Sequence, residues 1–114
     1  MDVVPTLRAA VWAGISLQRA RRGLRTRPLP EVRLKGPPPL PSAAVRGVTA
    51  VLKRRGASCL ERSLVLQRWH SAHGEPHDIV IGVTSPADFL AHAWLDGELD
   101  LAAVPYTEVT RLPP

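Results

Sequence analysis

The 114-residue sequence holds one cysteine, Cys59, in the stretch GASCLERS. A single thiol forms no disulfide within its own chain and no cysteine-rich metal site. It is either a small buried residue, the common fate of a free cysteine, or a nucleophile. Ser58 and Glu61 bear on the choice, because they form the S-x-x-E pattern of a capping box. That pattern places Cys59 at the first position of a helix. A thiol there faces unpaired backbone N–H groups and the positive end of the helix dipole. Both favour the thiolate, which is the nucleophilic form. The same N–H groups can receive a developing oxyanion.

A thiol nucleophile needs a base, and the base needs an orienting group. The chain has four histidines. His70 and His73 are three residues apart and read as a solvated helix end rather than a metal pair. His77, in the loop GEPHD, reads as exposed. His92 stands mid-strand in the apolar stretch FLAHAWL, where an unpartnered polar group costs about 1–3 kcal/mol. It is a satisfied structural histidine or a general base, and the catalytic reading takes His92 as the base. The acid then comes from Asp96, Glu98 or Asp100. Asp96-Gly97 carries a hairpin signal and reads as the turn itself. A strict two-residue turn points Asp100 away from His92, whereas a one-residue bulge brings it to the same face. Asp100 is therefore the expected third member, conditional on that bulge.

The elements that must position these residues follow from periodicity. Residues 1–27 read as a basic amphipathic helix. Leu7, Val11, Ile15 and Leu17 form its packing face, and Gly23 is its stop. The alternative for that face is a docking surface for a protein or a membrane. Residues 28–41, PLPEVRLKGPPPLP, contain six prolines and read as a stiff extended linker, with EVRL as a possible edge strand. Residues 42–114 read as the core. Ser42 caps a second helix with Val45, Val48 and Leu52 on one face, and Gly56 ends it. A third helix runs from Cys59 through Leu60, Leu64 and Trp69 to His73, closed by Gly74. Strands follow in HDIVIGVT, DFLAHAWL and ELDLAAV, with a short last one in YTEVTRL. Helices first and an antiparallel sheet after make the class α+β, with N-terminal helices packed on a small antiparallel sheet.

Charge is uneven. Twelve of the 15 basic residues precede position 56, against two of the 10 acidic ones. Such a first half suits an acidic partner, an anionic surface or nucleic acid. Its aromatic content, Trp12 alone, argues against nucleic acid, which is read by cations together with stacking groups. The lone cysteine, Asp2 where a signal peptide is basic, and Arg8 within the first apolar run suggest a cytoplasmic protein. No stretch reaches the roughly 18 apolar residues of a spanning helix. No metal or cofactor is expected.

Cysteine at a helix start, then histidine on one strand and aspartate on the next, resembles the transglutaminase-like and papain-like cysteine-protease core. Cys59-Leu60-Glu61-Arg62-Ser63-Leu64, Gly82-Val83, and Phe89, Ala91, His92, Ala93 and Trp94 together resemble the leader peptidase of lasso-peptide biosynthesis, the B protein in its split, C-terminal peptidase form. The resemblance covers about residues 45–112. It implies a cysteine peptidase that cuts a ribosomally made precursor between leader and core. Cys59 would be the nucleophile, His92 the base and Asp100 the orienting acid. It also implies three partners: the precursor leader peptide, a small leader-binding RiPP recognition element protein, and an ATP-dependent lasso cyclase that uses the freed amine. Two other readings stay open. One is a thiol acyltransferase of transglutaminase type on the same core. The other is a non-enzymatic basic binding protein in which Cys59 and His92 are core residues.

Overall fold

A computed structural model describes residues 3–84, 91–97 and 106–114. The first helix, α1, spans Val3–Thr26. Its buried face is Ala9, Trp12, Ala13, Ser16, Leu17 and Ala20, spaced as one stripe of a 3.6-residue period. The expected packing face is thus corrected. Leu17 is buried, but Leu7, Val11 and Ile15 are 59%, 64% and 51% exposed. Small residues line the buried stripe because the second helix, α2 (Val45–Arg54), crosses very close. A Cβ on Gly47 would collide with the Thr6 carbonyl. Gly23 does not stop α1, which continues to Thr26. A Cβ at Gly23 would sit 3.1 Å from Val32 Cγ1, so this glycine admits the returning chain instead.

The proline-rich stretch packs across the helices. It opens with a 3-10 turn at Leu29–Glu31, in place of the EVRL strand, and buries Val32. Extended proline-rich backbone makes no internal hydrogen bonds, so its carbonyls find partners elsewhere. Trp12 Nε1 donates to the Lys35 carbonyl at 3.2 Å, and His73 Nε2 lies 2.8 Å from the Leu40 carbonyl. One hydrophobic core draws residues from α1, from this stretch and from the helices and strands that follow.

A second 3-10 turn, Ser42–Ala44, leads into α2. The Ser42 hydroxyl caps nothing. The turn instead closes through the Ala44 N–H on the Pro41 carbonyl, at 3.0 Å. Val48 and Leu52 are buried and Val45 packs at the margin of the core, as their spacing requires. Gly56, at φ +64°, ends the segment in the left-handed region. The third helix, α3, spans Cys59–Ala72. Its Trp69 is 1% exposed, with its ring 5.7 Å from Trp12 and 4.4 Å from His73.

Among the described residues, three antiparallel strands join the helices in an α+β fold: β1 (Ile79–Val83), β2 (Ala91–Leu95) and β3 (Thr107–Leu112), in the order β2-β1-β3. The last strand, expected as a short addition, is a full partner of β1. A register shift between Ile81 and Gly82 leaves Val109 as the extra residue of a bulge. Ile79, Ala93 and Leu95 join the core. The buried Gln67 of α3 ties the sheet to the helices, its Nε2 donating to the carbonyls of both His77 and Leu112 at 2.9 Å. The ELDLAAV segment, and with it the register of the Asp96-Gly97 hairpin, lies outside the described residues.

Arg111 on β3 gathers three carboxylates. It donates bidentately to Glu108 at 2.7 and 2.9 Å and to Asp96 at 2.7 Å, with Asp78 at 3.7 Å. The arginine hydrogen bonds hold the Glu108 carboxyl below its ordinary value. A depressed folded-state value contributes stability that is present above the unfolded-state value. That stability is lost as pH falls through the folded one. The gap in melting temperature between wild type and Arg111→Ala should therefore narrow as pH drops from neutral towards 3, read by thermal melts at several pH values. Gly47→Ala should lower stability by about 1–3 kcal/mol through overpacking, although alanine is the better helix former. Urea denaturation measures it.

Candidate active site

The start of α3 is built as its sequence suggests. Ser58 is extended, with φ −68° and ψ 164°. Its Oγ accepts the Glu61 N–H at 3.2 Å, and its own N–H donates to Glu61 Oε1 at 2.9 Å. The first intrahelical bond runs from the Arg62 N–H to the Ser58 carbonyl at 2.8 Å. Of the four N–H groups that a helix start leaves without intrahelical partners, the box uses those of Ser58 and Glu61. The N–H groups of Cys59 and Leu60 are left over. Cys59 is half-buried and packs against the core beside Leu60.

Glu61 would set a negative charge beside the thiol. Arg21, forty residues earlier, offsets it. Its Nε donates to Glu61 Oε1 at 3.2 Å, and its Nη2 donates to the Arg55 carbonyl at 3.0 Å. The same arginine therefore fixes α1 to both ends of the α2–α3 connection. Pattern reading found the box but not Arg21, because nothing local marks a contact across that separation. Ser63, one helical turn beyond Cys59 and on the same face, is fully buried, and its Oγ has no hydrogen-bond partner.

His92 is half-buried rather than deeply buried. Strand alternation turns Ala93 and Leu95 into the core and His92 and Trp94 to the other face of the sheet. There His92 stands opposite Gly82, stacks on Trp94 at 5.7 Å and lies 5.2 Å from the Tyr106 ring. The need for glycine at position 82 is steric. A Cβ there would come within 2.8 Å of Trp94 Cη2 and 2.9 Å of the Thr107 carbonyl. Gly82, His92 and Trp94 thus form one packed unit. Tyr106 is an aromatic neighbour that pattern reading did not single out.

The thiol stands at the start of α3 and the imidazole on β2. Asp100 lies outside the described residues, as does Glu98. Asp96 is a turn residue, as expected: Gly97 follows at φ +87°, and the Asp96 carboxylate is taken by Arg111. His73 is no solvated helix end. Its Nδ1 lies 2.7 Å from the Trp69 carbonyl, and its Nε2 faces Leu40. His77 Nδ1 lies 2.8 Å from the Asp96 carbonyl, and His70 sits edge-on to His77 at 5.5 Å. Among the described residues no cluster of three or more His, Cys, Asp or Glu could hold a metal ion. No helix among them is long and apolar enough to cross a membrane.

Residues 3–105 match the family model described as the transglutaminase-like superfamily. No curated protein and no solved structure matches the chain.

Two substitutions probe the helix start without touching the sulfur. Ser58→Ala should cost about 1 kcal/mol by opening the capping box. Ser63→Ala should leave stability unchanged or raise it, because it removes an unsatisfied buried hydroxyl. Chemical denaturation of both variants reads the two signs.

Proposed function

Because the chain belongs to the transglutaminase-like superfamily, we propose that it is a thiol enzyme, a cysteine peptidase that separates the leader of a lasso-peptide precursor from its core. The observation that carries the reading is the first turn of α3. A cysteine stands at its first position, and two N–H groups, those of Cys59 and Leu60, are not used by the capping box. In this reading Cys59 Sγ attacks the scissile carbonyl carbon. The N–H groups of Cys59 and Leu60 receive the oxyanion. His92 takes the thiol proton and returns it to the leaving amine, and water then hydrolyses the thioester. Asp100 orients His92. In this reading the Cys59–His92 hydrogen bond tightens when substrate binds, as catalytic hydrogen bonds commonly do.

The finer assignment rests on the three motifs around Cys59, Gly82 and His92. Its partners are the precursor leader peptide, a RiPP recognition element protein that presents the leader, and a lasso cyclase that consumes the freed core amine. Acyl transfer to an amine is the second reading. It is favoured by the superfamily itself, since the same thioester serves either acceptor. Product mass separates the two: a free leader and core, or a mass gain on an amine.

The deciding assay incubates the precursor with the protein, with and without the recognition protein. Cys59→Ala should abolish cleavage. His92→Ala should slow it by about 10²–10⁴-fold, the usual worth of general acid–base catalysis. Full cleavage by Cys59→Ala would overturn the mechanism, and an unchanged rate in Asp100→Asn would move the acid elsewhere.

A further inference from the structure

The outward face of α1 carries a track that the core leaves unused. Val4, Leu7, Val11 and Ile15 are exposed and recur at helical spacing, opposite the buried stripe. Together with Arg8, Trp12 and Pro38 they line an open apolar groove of about 440 Å³. The same face continues along the helix into Arg19 and Arg22. Those two, with Arg27 and Arg33, line a second cleft of about 200 Å³. The helix contains arginines at 8, 19, 21, 22 and 25 and neither aspartate nor glutamate. Arg8, Arg19, Arg22 and Arg27 make no ion pair among the described residues.

We infer that this face docks an amphipathic helix of a partner protein, with apolar side chains seated over the start of α1 and carboxylates over its end. Two observations choose this occupant. The apolar part is a groove, which receives side-chain knobs in the helix-in-groove manner. The basic part calls for an acidic partner. A second copy of the chain offers none on this face, because α1 has no carboxylate to present. At 24 residues α1 is about 36 Å long, room for apolar anchors and an acidic segment in succession. The inference stands independently of the chemistry of Cys59.

The test uses a fluorescein-labelled synthetic helix as long as α1. It carries leucines at every third or fourth position over one half and glutamates on the same face over the other. A second peptide has lysine in place of each glutamate. Fluorescence anisotropy should show the glutamate peptide binding at least about tenfold tighter, a difference of about 1.4 kcal/mol. The double variant Leu7→Glu/Val11→Glu alters only exposed side chains and should weaken that binding by about tenfold. Arg19→Glu/Arg22→Glu should reverse the preference between the peptides, which a misfolded protein would not do. Equal binding of the two peptides, or equal binding by wild type and both variants, would overturn the inference. So would binding to phosphatidylserine vesicles that Leu7→Glu/Val11→Glu abolishes while peptide binding is unaffected. A wild-type dimer in sedimentation that the same variant dissolves would assign the face to self-association instead.

Discussion

Burial of Trp69 is the constraint on which the other contacts of the helical layer depend. Its indole lies between Trp12 of α1 and His73 at the end of α3. His73 in turn reaches the Leu40 carbonyl, and Trp12 reaches that of Lys35. One aromatic side chain therefore sets the spacing of two helices and places the two rings that hold the proline-rich stretch. A chain with so few aromatics has little else of that volume to fill its centre. The small residues of α1 and Gly47 are the complement. Where the large ring fills space between α1 and α3, small side chains let α1 and α2 close together.

Most features governed by local rules were legible in the sequence, the Ser42 cap excepted. The Ser58/Glu61 box, the glycines at 56, 74 and 97 and the α+β order are set by backbone geometry within a few residues, and each stands as expected. Features decided by tertiary packing were not. Leu7, Val11 and Ile15 have the spacing of a core face, but so has the alanine-rich stripe behind them. Close approach to α2 selects the smaller side chains. Gly23 has the type of a helix stop, yet it is used for the passage of Val32. The proline-rich stretch has the composition of a spacer, and its unbonded carbonyls are what attach it to Trp12 and His73.

The candidate site divides along the same line. The environment of Cys59 is short-range and was readable, apart from Arg21, whose contact with Glu61 depends on how α1 lies across the connection. The environment of His92 is long-range. Its place opposite Gly82 and against Trp94 and Tyr106 follows from strand register, and His92 faces away from the core that Ala93 and Leu95 enter. Within the described sheet, the glycine of one motif and the histidine and tryptophan of another meet as a single steric unit. Substitution at Gly82 would thus push on Trp94, the ring on which His92 stacks.

Strand β3 has a further consequence for how the protein behaves in solution. Among the described strands it is an outer one, and most of its side chains are exposed. An outer strand with open N–H and C=O groups can template pairing with another molecule. Here the bulge at Val109 breaks the regular ladder, the paired charges of Glu108 and Arg111 line the strand, and Pro113 and Pro114 follow it directly. Each of these discourages a further strand from adding to that edge. The residues of this outermost described strand therefore also act as a guard against aggregation.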